Sequence, residues 1–296
     1  MKRRLFWGLL ALLLLGPLSP ALAACIVDDT GTRVCTDGSP RIVSLYGAYT
    51  EVLWEIGAGD RIVGRTRHDD TVPQLRGVPS VGTGLRPNVE YVLALRPGLV
   101  VARAGRAAAR AVATLRERGL TVAAFDPRSI DDALGVMERL GVLTGRVAQA
   151  RELAGRLRAE VDRVRTAVAD APRVRLVYEI RGQPLTVAGT DGLIHDIIVA
   201  AGGENAVRVP KKLLTLDVEA LLRLDPEVYV IQEGPMNRNP PPLSERPLFR
   251  ELRAVRAGRV LTVAEREFAR PGPGLARAVR TLARFLHPDR VPDRAE

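Results

Sequence analysis

The chain has 296 residues, 46% of them hydrophobic and only 4% aromatic, and a formal net charge of +10. That is enough chain and apolar content for two domains of ordinary size. The basic excess is nearly all arginine, the only lysines being Lys2, Lys211 and Lys212. It forms no cluster interleaved with aromatics, which argues against a nucleic-acid partner, while a basic surface suits anionic ligands or membrane surfaces.

The first residues read as an export signal. Lys2, Arg3 and Arg4 precede the apolar run Leu9–Leu18, and Ala21-Leu22-Ala23 follows as a small-x-small cleavage signal. The run is too short to span a bilayer and Gly16-Pro17 interrupts it. Residues 1–24 are therefore expected to be removed, leaving a net charge of about +7. No later segment is long and apolar enough to be a transmembrane helix. Cys25 carries two readings. "LAAC" fits a lipoprotein signal with Cys25 acylated at the mature N-terminus. "CIVDDTGTRVC" fits a hairpin over 25–40, with Asp29-Thr30-Gly31 as its turn and Cys25 facing Cys35 in a disulfide.

From residue 41 strands and helices alternate. "RIVSL" reads as a buried strand, 49–59 as a helix ending at Gly57 and Gly59, and "RIVG" as a second strand. Val78–Val81 is a third candidate. A helix over 88–95 precedes Pro97 and a strand at 99–102, and the helix "AARAVATLRERG" precedes the strand "LTVAAF". Residues 129–145 are helical. Residues 146–170 form one long amphipathic helix whose stripe is Val147, Leu153, Leu157, Val161, Val164 and Val168. After Pro172 the alternation restarts with "VRLVYEI", "LTVAG", the helix "GLIHDIIVAAGG", a Pro-rich loop, "RVLTV" and a final helix at 274–286. "AGG" at 201–203 reads as a helix end and turn, and Trp54 as core. The pattern is α/β with largely parallel sheets, divided into a lobe at 41–143, a bridging helix at 144–171 and a lobe at 172–296.

The two halves repeat one unit. "RPNVEYVLALRPGLVV" (86–101) and "TLDVEALLRLDPEVYV" (215–230) align Glu90 with Glu219, Leu93 with Leu222, Leu95 with Leu224, Pro97 with Pro226 and Val101 with Val230. Each is a helix–Pro–strand step. Asn88 and Asp217 are N-cap residues, and Glu90 and Glu219 fall in the first turn, where the helix dipole favours an acid.

"RIVSLYGAYTEVLWEIGAGDRIVG", "VPSVGTGLRPNVEYVLALRPGLVV", "AGGENAV", "DVEALLRLDPEVYVI" and "RPLFRELRAVRAGRVLTV", in that order, resemble the periplasmic substrate-binding proteins of iron-chelate and cobalamin ABC importers, over about 41–288. The resemblance implies two Rossmann-like lobes with mostly parallel sheets, one long bridging helix and a ligand in the cleft between lobes. It also implies one Glu per lobe docking on a permease dimer that works with ATPase subunits. Glu90 and Glu219 stand at those positions.

In open α/β sheets ligands sit beyond the carboxyl ends of the strands. Those ends deliver Tyr46, Tyr49, Arg65, Arg67, His68, Arg86 and Arg103 in the first lobe and Glu179, Arg181, Phe268 and Arg270 in the second. The ligand set expected from them is Tyr46, Tyr49, Arg67, Arg86, Arg103, Glu179, Arg181 and Arg270. Several guanidinium groups suit an anionic ferric siderophore or ferric citrate. Cobalamin is the alternative, with two Tyr and Phe268 as aromatic walls. Haem binders of the family often carry a Tyr shortly after "VG", where this chain has Thr83; Tyr46 or His68 would then be the iron ligand. A bare-metal carrier is disfavoured, because His68, His195 and His287 are scattered. No nucleophile elbow, P-loop or GxGxxG is present, so no enzyme and no cofactor are expected. The protein is expected to be a periplasmic monomer, soluble or anchored through Cys25.

Overall fold

The structure, a computed structural model, describes residues 24–69 and 73–292. The export signal and its Ala21-Leu22-Ala23 site lie outside the described residues.

Strands β1 (Ala24–Val27) and β2 (Arg33–Thr36) form an antiparallel hairpin in which Cys25 and Cys35 are directly opposed and joined by a disulfide. The buried Asp28 closes its turn. One carboxylate oxygen accepts the Thr30 and Thr32 amides at 2.9 and 3.0 Å. The other accepts the Ala124 amide at 2.9 Å and Nη2 of Arg116 at 2.6 Å. The Asp29 amide donates to the Ala124 carbonyl. The hairpin thus satisfies the outer edge of the first lobe's last strand, which would otherwise be an open pairing template.

The first lobe runs β3 (Ile42–Ser44), α1 (Gly47–Glu55), β4 (Ile62–Gly64), β5 (Gly82–Thr83), β6 (Arg86–Pro87), α2 (Val89–Ala94), β7 (Leu99–Arg103), α3 (Ala109–Glu117), β8 (Val122–Phe125) and α4 (Ile130–Leu143). Its sheet has the order β4-β3-β7-β8, all parallel. Ile42, Val101 and Ala123 enter one core, while Val43, Val100 and Val122 enter another on the opposite face. Burial on both faces explains why these strands read as unbroken apolar runs. The strand expected at Val78–Val81 is reduced to a single bridge between Arg65 and Ser80.

The long helix is α5 (Val147–Ala167), buried through Leu153, Leu157, Val161 and Val164 as its stripe requires, with Val147 only half-buried. It packs on α4 at close range: a Cβ on Gly141 would lie 2.3 Å from the Ala150 Cβ.

The second lobe runs β9 (Val174–Arg181), β10 (Thr186–Ala188), α6 (Leu193–Ala200), β11 (Gly203–Asn205), β12 (Leu213–Thr215), α7 (Val218–Leu224), β13 (Val228–Glu233), α8 (Arg253–Arg256), β14 (Val260–Ala264), α9 (Glu265–Phe268) and α10 (Leu275–Leu286). β9, β13 and β14 are mutually parallel, and β10 and β12 extend the sheet antiparallel. Gly203 opens a strand beside β9 rather than ending a turn.

The repeat is geometric as well as sequential. The Asn88 side chain accepts the Tyr91 amide at 3.0 Å and Asp217 accepts the Ala220 amide at 2.6 Å. Arg96 (φ 46°) and Asp225 (φ 37°) are both left-handed, each immediately before the repeat's proline. A non-glycine residue there costs roughly 1–2 kcal/mol, and both lobes accept that cost to turn the chain from helix into the next buried strand.

Candidate functional site

The parallel strands of each lobe deliver their carboxyl ends to one side. β3 leads to Tyr46, β7 ends at Arg103 and β8 leads to Asp126; in the second lobe β14 leads to Glu265. These residues converge on Tyr46, which precedes α1 in extended conformation (φ −151°, ψ 121°). Its ring meets Tyr49 edge-on at 5.0 Å, and the Arg103 guanidinium lies 5.0 Å from its centroid. Burial raises the Tyr46 hydroxyl pKa, and the positive charges of Arg103 and Arg270 counteract the rise. Yet the residue is not fully covered, as expected on the floor of a concavity.

Arg270 comes from the second lobe. Its side chain is 16% exposed and pairs with Glu265 at 3.5 Å. It reaches the start of α1, where a Cβ on Gly47 would lie 3.2 Å from its Nη1 and 2.6 Å from Oδ1 of Asp69. Gly47 therefore makes room for both groups. Asp69 is buried, and its carboxylate accepts the Thr66 amide at 3.1 Å and hydroxyl at 2.8 Å. Burial pushes its pKa up, against the pull of Thr66, Arg270 and Arg65.

Polar contacts cross between the lobes around this floor. Arg128 donates to both Asp191 oxygens at 2.8 and 3.1 Å. Lys212 meets Asp126 at 2.8 Å, and Asp196 accepts the Ile130 amide at 2.7 Å. On another side Arg266 lies 3.6 Å from Glu51. There a groove of about 330 Å³ is lined by Thr50, Glu51, Trp54, Arg266 and Arg277 among others. Burial raises the Glu51 pKa despite Arg266 and Arg270.

Of the expected ligand residues, the structure brings Tyr46, Arg103 and Arg270 together. Arg67 and Arg86 are exposed on the turn after β4 and on β6. Arg181 is half-buried and donates to Thr186 Oγ1 at 3.3 Å. Tyr49 is corrected. It is fully buried, its hydroxyl donating to the Phe125 carbonyl at 3.0 Å and its ring packing edge-on against Phe125. Three residues along a helix turn the side chain from the floor into the core. Glu179 is also corrected. It is fully buried, accepting Tyr229 Oη at 2.7 Å, Asn237 Nδ2 at 3.1 Å and Arg246 Nη1 at 2.6 Å. Phe268 is no aromatic wall, being buried against Tyr178 with ring centroids 6.4 Å apart. Trp54 is 41% exposed, its indole lying across Gly59 instead of in the core.

His68 is exposed, His195 half-buried on α6, and His287 lies against the Gly202 carbonyl at 3.2 Å. Among the described residues no three His, Cys, Asp or Glu side chains are grouped to hold a bare metal ion. Asp69, Asp126 and Glu265 were missed from sequence. Two of them directly follow a strand, the same signal that picked out Tyr46 and Arg103.

Glu90 and Glu219 are both exposed in the first turns of α2 and α7. Glu90 pairs with Arg118 at 2.8 Å, on the surface.

Two α/β lobes, one bridging helix and a charged floor built from both lobes define a two-lobed solute-binding protein. Residues 42–267 match the family described as periplasmic binding protein, and the chain belongs to that family. It is 26% identical to the uncharacterized ABC transporter substrate-binding lipoprotein YvrC of Bacillus subtilis (strain 168), over 89% of this chain and 85% of that one. It is 29% identical to a cobalamin-binding protein of Halobacterium salinarum (strain ATCC 29341 / DSM 671 / R1), over 88% of this chain and 73% of that one. The periplasmic haem-binding protein RhuT of Roseiflexus sp. RS-1 shares the fold, with a TM-score of 0.74 at 23% identity, covering 86% of this chain and 100% of that one.

Proposed function

We propose that this protein is the solute-binding component of an ABC importer and captures an anionic metal chelate, of the ferric siderophore or ferric citrate type, between its lobes. The observation that carries this reading is the pair of guanidinium groups, Arg103 from one lobe and Arg270 from the other, at the half-buried Tyr46. Two cations on one concave floor attract a ligand bearing carboxylate or hydroxamate oxygens, and a fork of N–H donors fixes its orientation. Tyr46 offers a ring face and a hydroxyl. The role so read is capture and release.

Cobalamin is the second reading, favoured by the name of the Halobacterium relative. Against it, Tyr49 and Phe268 are both buried in cores and provide no aromatic wall. Haem would depend on Tyr46 as axial ligand.

The loaded protein docks on a permease dimer served by ATPase subunits, with Glu90 and Glu219 as the two contacts. One exposed acid at the same place in each lobe orients a pseudo-symmetric protein on a two-fold partner. The protein acts as a monomer outside the inner membrane. A sulfur engaged in the Cys25–Cys35 disulfide is unavailable for acylation, which favours a free periplasmic carrier; the intact mass of the exported protein decides between the two. The reading as a whole is tested by titrating the mature protein with ferric citrate, a ferric trihydroxamate, cyanocobalamin and haemin. One-to-one binding of one probe is expected, and failure of all four rejects the reading.

A further inference from the structure

The buried carboxylate of Glu179 and the loop after β13 take no part in the set just described, yet a continuous chain of contacts joins them to it. We infer that the turn Gly234–Asn237 is a ligand-contacting rim of the second lobe, with Met236 as its apolar contact, and that Glu179 is the positioning residue that holds this turn in place. The inference rests on the reading that a chelate occupies the inter-lobe cleft.

The turn is closed in both directions, Gly234 N donating to Asn237 O at 3.2 Å and Asn237 N to Gly234 O at 3.0 Å. It is laid directly on Glu265: a Cβ on Gly234 would lie 2.5 Å from the Glu265 Cβ, and the Met236 amide donates to Glu265 Oε2 at 3.4 Å. Glu265 is the residue that pairs with Arg270 and acts electrostatically on Tyr46. The turn and the floor therefore share one carboxylate. Met236 remains 45% exposed there. A flexible, polarizable side chain beside a cluster of charges suits the apolar skeleton of a chelate whose oxygens face the arginines.

The far side of the turn is held by Glu179. Asn237 gives one Nδ2 bond to Glu179 at 3.1 Å and another to the Gln232 carbonyl at 2.9 Å, while its Oδ1 accepts the Gly182 amide at 3.2 Å. Arg246, its side chain only 9% exposed, donates Nη1 to Glu179 at 2.6 Å and Nε to the Pro241 carbonyl at 3.1 Å. Both ends of the 234–246 loop thus close on one buried carboxylate. A buried pair adds little net stability by itself, but breaking it leaves an uncompensated charge. Here the pair fixes where a proline-rich loop of otherwise irregular backbone returns to the lobe.

The test measures dissociation constants of the mature protein for the four probes of the preceding section, with melting temperatures in parallel. Met236→Asp places a like charge beside Glu265 at an exposed position. It is expected to weaken the bound probe at least tenfold and to leave the melting temperature nearly unchanged. Glu179→Gln keeps the shape but removes the charge facing Arg246. It is expected to weaken binding several-fold, and Met236→Asp is expected to cost less in that background than in the wild type, because the turn is already displaced. Strictly additive losses overturn the positioning role. If Glu179→Gln does not fold, Asn237→Ser supplies the same cycle. Arg270→Ala separates the two levels: loss of binding there with no change in Met236→Asp overturns this inference alone. Intact binding in both variants, or a wild type that binds no probe, overturns the cleft reading with it.

Discussion

The guanidinium carbon of Arg103 stands 5.0 Å from the centroid of the Tyr46 ring. A cation over a phenol face contributes about 0.5–2 kcal/mol depending on how dry the site is. Arg103 is exposed where β7 ends, which places this pair toward the lower end of that range, and Asp126 and Arg270 act on the same tyrosine. Arg103→Ala is expected to weaken chelate binding tenfold or more, and Arg103→Lys to recover only part of it, since a point charge replaces a planar fork. Isothermal titration of the two variants checks this; equal affinity of all three proteins would remove Arg103 from the site.

Tyr46 and Tyr49 predict opposite behaviour three residues apart. Tyr49→Phe deletes a buried hydroxyl bond to the Phe125 carbonyl, worth about 1 kcal/mol, while that carbonyl keeps its bond from the Ala104 amide. Its melting temperature is expected to fall by a few degrees with ligand affinity unchanged. Tyr46→Phe is expected to do the reverse, lowering affinity while the melting temperature holds. Thermal melts monitored by circular dichroism, set beside titrations of the same proteins, distinguish the two.

Glu90 and Glu219 are exposed in the first turns of equivalent helices, so their removal costs little stability: about 0.3–1 kcal/mol each if the helix dipole is their only role. Glu90→Ala with Glu219→Ala is expected to leave chelate affinity intact and abolish transport into proteoliposomes carrying the importer. Arg118→Ala, which frees Glu90 from its surface ion pair, is expected to leave transport intact or raise it slightly. Undiminished transport by the double variant would return both acids to helix capping.

Asp28 sets the acid behaviour of the hairpin. Burial alone would raise its pKa, but hydrogen bonds from the Thr30 hydroxyl and from the Ala124, Thr32 and Thr30 amides hold it below the ordinary carboxylate value. A pKa lower in the folded than in the unfolded chain favours folding above the unfolded value, about 3.9, and the advantage is lost as pH falls through the folded value. Asp28→Asn is therefore expected to melt several degrees below wild type at pH 7, the gap closing as pH falls below the ordinary carboxylate range. A gap independent of pH would mean that the side chain acts through shape and not charge. Cleaving the Cys25–Cys35 link removes a constraint on a loop of about ten residues, worth about 2–3 kcal/mol in the chain-entropy account. It is expected to increase amide exchange at Ala124, whose N–H is held by Asp28.

Much of the fold was legible because both lobes use the same local grammar. Asn88 and Asp217, Arg96-Pro97 and Asp225-Pro226 recur at a constant offset, and doubly buried strands announce themselves as apolar runs. The facing cysteines were legible from their symmetry about Thr30. The site was legible only as far as strand ends could carry it. Tyr46, two residues beyond β3, and Arg103, at the end of β7, lie where strand ends open on the same floor. Tyr49 was misplaced because helix phase, set by how α1 seats on the sheet, rotates it inward. Glu179 and Glu265 are both acids at strand ends in one lobe, yet only Glu265 reaches the floor. The difference is made by Asn237 and Arg246, contributed by an irregular loop some sixty residues after Glu179, and no periodicity encodes where such a loop folds back. Trp54 fits a helical apolar pattern, but Gly59 provides a flat seat for its ring outside the core.

Trp54 also supplies the most direct measurement. It is the one tryptophan among the described residues, and it lines the groove between α1 of one lobe and Arg266 and Arg277 of the other. Its fluorescence therefore reports on the gap between lobes. Titration of the mature protein with the four probes is predicted to give a saturable, one-to-one change with one of them. In the Arg103→Ala, Arg270→Ala double variant the midpoint is predicted to move at least a hundredfold higher. A wild type with no saturable change for any probe, or a double variant that titrates like wild type, would contradict the claim that a chelate is held between the two lobes by one arginine from each.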